Sequence, residues 1–335
     1  MPLAKIYETT PTMSYTNNPG YGQGRHVISS DGILVESAAE FAARLRAHFT
    51  SPGYTPPLLP AVALEVHALT RQSDVDAAKV VEVMRKDPML AGRVLKIAQS
   101  AAFAPMGAIT SLQDAVVRLG LHNLSEIAWE VSLNMRVFRS QAYAESMEIV
   151  RRHSTACAHL ARMVSSFTSL ASEYAFLCGL LHDIGMAAAL IVLGERKETA
   201  TGFDPALLGT ALQQCHQEAS AVVAGLWKLP ADVQLVLGHH HDVVIDGFVH
   251  PLAAVVAVAD ELTRELGMGI MICGHNCDVT SDTALGHARN TLGFDRARMD
   301  KLGREAKKLI STLERGAATA AATSEDRPKA QRSAR

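Results

Sequence analysis

The stretch "LCGLLHDIGMAAALIVL", Leu177–Leu193, sets an imidazole beside a carboxylate, His182 and Asp183, inside a run that is otherwise apolar. An ionised carboxylate in such surroundings needs an ion pair, hydrogen bonds or a metal, because losing its hydration is costly. From Tyr174 to Gly194 the run is long enough to cross a bilayer. A carboxylate at mid-membrane costs about 2.5–3.5 kcal/mol on insertion scales, and no basic cluster marks one flank. The run is therefore predicted to be the central helix of a helical core, apolar on every face, with no membrane contact.

Partners for the His-Asp pair recur along the chain. His153 lies in "RRHSTACAHLARMV", His216 in "CHQEASAVVAGLWKLP", His240 and His241 in "LGHHHDVV", and Asp260 in "LAAVVAVADELTREL". The steps are 29 residues from His153 to His182, 34 to His216, 24 to His240, and 19 from His241 to Asp260. Each fits one helix out and the next back, so all seven can meet inside a bundle. Imidazole nitrogen with carboxylate oxygen suits iron or manganese, and also zinc or nickel, whereas an imidazole-rich set is a poor match for magnesium or calcium. Adjacent residues on a helix point about 100° apart, so His182 can face one ion while Asp183 reaches towards a second.

The rest of the pattern is helical. "SDVDAAKVVEVMRK" is predicted to open on a Ser73 cap and to stop at Asp87-Pro88, where "PMLAGRVLKIAQS" starts with proline in its first turn. "SLQDAVVRLG" carries Ser111 and Asp114 at capping-box spacing, with Gly120 at the stop. No period-2 alternation competes, so the fold is predicted to be all-α. Four regions are expected: an irregular lead-in over 1–35, an amino-terminal helical subdomain over 36–143, a second helical subdomain with the clustered histidines over 144–315, and a disordered tail over 316–335.

Lys+Arg number 32 against 34 for Asp+Glu, a net charge of -2, which gives no basic footprint for nucleic acid. The five cysteines, Cys157, Cys178, Cys215, Cys273 and Cys277, are odd in number, and the first 24 residues hold no apolar run. A reducing, cytoplasmic setting is expected. "CGHNC", Cys273–Cys277, offers too few ligands for a closed zinc site and is read as a loop with incidental thiols. His239 is read as a surface or supporting group, and Trp129 and Trp227 as packing anchors.

Together, "HS" at His153, "LLHDIG" at Leu180–Gly185, "HQEASAVVAGLWKLP" from His216, "HHHD" ending at Asp242 and "AD" at Asp260 resemble the HD superfamily. "PPLLPAVALEVHALTR", "DPMLAGRVLKIAQSAAFA" and "ITSLQDAVVRLGL" narrow the resemblance to its HDOD branch, over roughly Pro56 to Leu266. The resemblance implies metal ligation by His153, His182, Asp183 and Asp260, in a superfamily that hydrolyses phosphoesters. It implies a larger centre completed by His216, His240 and His241, as in the related HD-GYP branch. HDOD proteins themselves are regarded as signalling outputs.

Two departures separate the chain from the hydrolytic pattern. Met186 stands where HD-GYP sequences have a lysine, and "VVIDGFVHP" follows "HHHD" without a Gly-Tyr-Pro motif. The expectation is therefore a regulatory protein that acts on a signalling protein partner or through a small nucleotide ligand, with one or two divalent ions as a structural or sensory element. The alternative is a metal-dependent phosphohydrolase acting on nucleotides or cyclic dinucleotides. There Asp183 would be the catalytic residue bridging two ions, and Arg151, Arg152 or Lys228 would be the nearest cations in sequence to offset phosphate charge.

Overall fold

A computed structural model of the chain describes residues 27–28, 34–35, 37–100, 109, 111–169, 174–195, 205–277 and 279–325. Within them the fold is all-α, apart from three two-stranded antiparallel hairpins. In the lead-in, β1 (Val27–Ile28) pairs with β2 (Leu34–Val35); the remainder of 1–35 lies outside the described residues.

Helix α1 (Ala38–Phe49) opens on a capping box in which the Ser37 hydroxyl accepts from Glu40 N–H while the Glu40 carboxylate accepts from Ser37 N–H. It belongs to the expected amino-terminal subdomain by position but packs on the second half, against α10 (Leu208–Leu226), where Arg46 pairs with Glu218. The amino-terminal subdomain is built from α2 (Ala61–Thr70), α3 (Ala77–Arg85), α4 (Pro88–Ala98), α5 (Leu112–Leu119) and α6 (Leu121–Arg136). Helix α3 starts later than Ser73, because Asp76 takes the cap by accepting from Ala78 N–H at 2.9 Å. The Ser111–Asp114 capping box forms, and Gly120 ends α5 at φ 73°.

In the second half, α7 (Ala144–Ser166), α8 (Ala175–Leu181), α9 (Ile184–Glu195), α10, α11 (Ala231–His239) and α12 (Pro251–Thr263) surround one interior. A single apolar core runs through both halves. Hairpin β3–β4 (Val244–Ile245 with Phe248–Val249) joins α11 to α12, and β5–β6 (Met271–Ile272 with His275–Asn276) precedes α13 (Asp282–Thr291). Helix α14 (Arg296–Glu325) continues past the expected boundary at 316, because the alanines of "GAATAAATSE" are strong helix formers; residues 326–335 lie outside the described set.

The stretch Ala175–Glu195 is long and apolar enough for a membrane span, yet 94% of its most apolar window is buried in the fold. It forms α8 and α9, the central layer. Two glycines let this layer sit directly on its neighbours' backbones. A Cβ at Gly179 would lie 2.8 Å from the Cys157 carbonyl of α7, and one at Gly185 would lie 2.1 Å from the His216 carbonyl of α10. Contact this close holds the helix break at His182-Asp183 between the helices bearing His153 and His216.

Candidate metal centre

All seven sequence-selected side chains converge on one interior point. His153 comes from α7, His182 and Asp183 from the break between α8 and α9, His216 from α10, His240 and His241 from the end of α11, and Asp260 from α12. They form two groups whose ligand atoms lie within 4.8 Å of one another: Asp183, His216, His240 and His241, and beside it His153, His182 and Asp260.

Asp183 joins the groups. Its Oδ2 lies 3.1 Å from His182 Nε2 and 3.5 Å from His153 Nε2, while its Oδ1 lies 3.4 Å from His216 Nε2 and 3.5 Å from His240 Nε2. His153 Nε2 is also 3.4 Å from Asp260 Oδ1. Six of the seven residues are at most 2% exposed, and His241 is the least buried.

Whether these residues fit a cation is decided by where the ring protons sit. The Nδ1 atoms of His153, His182, His216 and His240 lie 2.9–3.1 Å from the carbonyls of Met268, Gly179, Leu212 and Leu237. A carbonyl only accepts, so each Nδ1 donates, and in the neutral ring Nε2 is left as a bare lone pair. Those Nε2 atoms nonetheless crowd together: His153–His182 at 3.1 Å, His216–His240 at 3.2 Å and His216–His241 at 3.0 Å. Neither oxygen of Asp183 has a hydrogen bond of good geometry. Inward lone pairs around a carboxylate are unfavourable alone and complementary to a divalent cation, so the residues fit one.

Proton binding answers only part of this demand. Burial pulls the proton affinity of His182 down, but the Asp183 carboxylate outweighs it and holds the imidazolium well above its usual range. Asp183 is pushed up by burial and more strongly down by His182 and its neighbours, ending well below the usual carboxylate range. A proton shared at His182 still leaves the trio of His216, His240 and His241. There burial, together with His240 and His216 alongside, drives His241 well below its ordinary value.

Three supporting groups carry no sequence motif. Ser220 Oγ donates to the His182 carbonyl at 2.7 Å and accepts from Gly185 N–H at 2.9 Å, so α10 clamps the helix break. Its spacing of four from His216 puts it on the same helix face, which is the one hint the sequence offers and does not by itself assign the role. Thr280 Oγ1 lies 2.8 Å from His241 Nδ1. The Met268 carbonyl that orients His153 ends a π-turn, Arg264–Met268, after α12.

Other expectations resolve simply. His239 is exposed, and Trp129 and Trp227 are buried, with Trp227 Nε1 donating to Pro57 O at 2.9 Å. "CGHNC" supplies the turn at Cys273-Gly274 and the second strand of the β5–β6 hairpin, with Cys273 exposed and Cys277 buried. Met186 is fully buried. Arg151 is paired with Glu148 at 2.5 Å, and Arg152 and Lys228 are exposed.

The HDOD domain pattern matches residues 57–243, more than half of the chain. The chain belongs to the HDOD family. The matched region contains six of the seven clustered residues and stops short of Asp260 and Thr280. Among solved structures, an HDOD domain protein of unknown function from Geobacter sulfurreducens shares the fold with a TM-score of 0.62 and 23% identity, over 84% of this chain and 97% of that one. A presumed metal-dependent phosphohydrolase from Shewanella amazonensis SB2B gives 0.54 and 21%, over 76% and 97%. A presumed signal transduction protein from Marinobacter aquaeolei VT8 gives 0.60 and 20%, over 85% and 66%. An uncharacterised protein of Treponema pallidum is 27% identical over 221 residues, 63% of this HDOD chain, which spans only 42% of that protein's length.

Proposed function

We propose that this HDOD protein is a signalling output component that acts by binding a protein partner or a small nucleotide ligand, with its His-Asp cluster holding divalent metal as a structural or sensory centre. Enclosure of the cluster carries this reading. A catalytic metal keeps a coordination position open to substrate, whereas six of the seven residues here are at most 2% exposed. A metal so placed would tie α7, the α8–α9 break, α10, α11 and α12 together, and binding to the native state alone adds to folding stability.

Met186 supports the same reading, since a buried thioether offers nothing to a phosphate. So does the pairing of Arg151 with Glu148. The near-neutral charge favours a protein or small-molecule partner over nucleic acid. Four buried cysteines and one exposed, none of them joined in a disulfide, suit a cytoplasmic setting away from membranes.

The second reading, phosphohydrolase, is favoured by one observation: Asp183 presents one oxygen to each histidine group, the disposition of a bridging carboxylate. Ions held there would supply Lewis acidity and a water of lowered pKa. In that case His153, His182 and Asp260 hold one ion and His216, His240 and His241 the other, with iron or manganese best suited and zinc or nickel next.

Elemental analysis of the purified chain, with a hydrolysis screen on cyclic dinucleotides, nucleotides and a chromogenic phosphodiester, separates the two. Bound metal without turnover is the expected result. Turnover abolished by Asp183→Ala would overturn the signalling reading in favour of the enzyme, and protein that takes up no metal would overturn the metal assignment.

A further inference from the structure

Four of the five imidazoles face a backbone carbonyl at Nδ1, and the fifth does not. His241, the ligand nearest the surface, is met at Nδ1 by the hydroxyl of Thr280, a residue only 5% exposed and 39 positions away in sequence. Building on the metal reading above, we propose that Thr280 is a positioning residue for one ion only, the ion at His216, His240 and His241, and that it acts by aiming His241 Nε2 into the site.

A carbonyl accepts and does nothing else, so it fixes one ring tautomer. A hydroxyl both donates and accepts. When Nε2 must be bare to ligate, Nδ1–H donates to Thr280 Oγ1; when Nε2 carries the proton, Thr280 Oγ1–H donates to Nδ1. His241 therefore keeps its partner, and its ring orientation, in either tautomer.

Thr280 itself is held from both sides. Before it, the β5–β6 hairpin is docked on α10: His275 Nε2 lies 2.7 Å from Gln213 Oε1, Cys277 Sγ approaches Gly209 O at 3.4 Å, and a Cβ at Gly209 would come within 2.4 Å of Ile272 O. After it, Ser281 caps α13 by accepting from Ala284 N–H at 3.2 Å. Gln213 lies one turn before His216 on the same helix. The hairpin thus couples the placement of Thr280 to the helix that supplies another ligand of the same ion. The Nδ1 atoms of His153 and His182 face the Met268 and Gly179 carbonyls instead, so the other ion is expected to be indifferent to Thr280.

The test uses the full chain stripped with chelator and titrated with Mn(II), with bound ions counted and the bound form read by electron paramagnetic resonance. Wild type should take up two ions and show an exchange-coupled spectrum. Thr280→Val should bind one ion with unchanged affinity and the second about 10–100-fold more weakly, giving an uncoupled spectrum at low loading, and Thr280→Ser should restore both. His241→Ala with Thr280→Val should lose no more than His241→Ala alone, which a general structural role would not produce, and melting of each apo variant identifies any that fails to fold. Two ions bound to Thr280→Val with wild-type affinity, additive losses in the double variant, or loss of both ions in the Val and Ser variants alike would overturn the inference while leaving the metal reading intact. Wild-type protein that binds no Mn(II) overturns both.

Discussion

The Ser220 hydroxyl sits 2.7 Å from the His182 carbonyl and 2.9 Å from the Gly185 amide, closing the helix break on both sides of Asp183. Ser220→Ala removes both hydrogen bonds and leaves a donor and an acceptor buried without partners. A loss of about 1–3 kcal/mol is expected, read as a lower urea midpoint at unchanged slope. Because the break presents His182 and Asp183, metal affinity should fall in the same variant.

Gly185 and Gly92 provide a matched pair. A methyl at Gly185 would meet His216 O at 2.1 Å and Ser220 N at 2.6 Å, whereas nothing lies within 4 Å of a Cβ at Gly92 in α4. Gly185→Ala should force α9 away from α10 and cost upwards of about 3 kcal/mol, the top of the usual overpacking range. Gly92→Ala should stabilise by about 0.5–1 kcal/mol, the helical cost of glycine relative to alanine. Thermal melts of the two variants should shift in opposite directions; equal shifts would mean that α9 and α10 do not touch at this glycine.

The seven clustered residues were legible because chemistry constrains their types: few arrangements other than a shared cation gather five imidazoles and two carboxylates at helix-pair spacing. The all-α fold was legible from capping and periodicity, as at Ser111 and Gly120. Ser220 and Thr280 were not, since a hydroxyl's role depends on a partner 38 or 39 positions away, and Ser and Thr occur everywhere on polar surfaces. The placement of α1 on α10 was hidden for the same reason. Its amphipathic pattern specifies that a face is buried but not against what.

Metal removal should destabilise the fold through Asp183. A ligand that binds only the native state contributes about 4 kcal/mol at a thousand times its dissociation constant, or roughly 6 °C in melting temperature for a chain of this size. Chelator should lower the wild-type melt by that order. Asp183→Asn keeps the side-chain volume and removes the charge that both groups share, so its melt should be insensitive to chelator. A chelator effect of wild-type size in Asp183→Asn would show that Asp183 is not a ligand.

Acid sensitivity should arise in part far from this centre, at Asp87. Burial raises its pKa, but the Leu90 amide it caps and the Arg136 guanidinium, 2.5 Å away, outweigh that and hold it below the usual carboxylate value. With the folded value depressed, the unfolded chain binds the proton more readily. The contribution is therefore complete above the unfolded value of about 3.9 and is lost as pH falls through it towards the folded value. Asp87→Asn retains a capping oxygen for α4 but no charge for Arg136. Its stability relative to wild type should be lowest at neutral pH, and the gap should narrow as the pH drops below 4. Urea titrations of both proteins from pH 7 to pH 3 measure that gap directly, and a gap independent of pH would mean that the Asp87–Arg136 pair contributes nothing through charge.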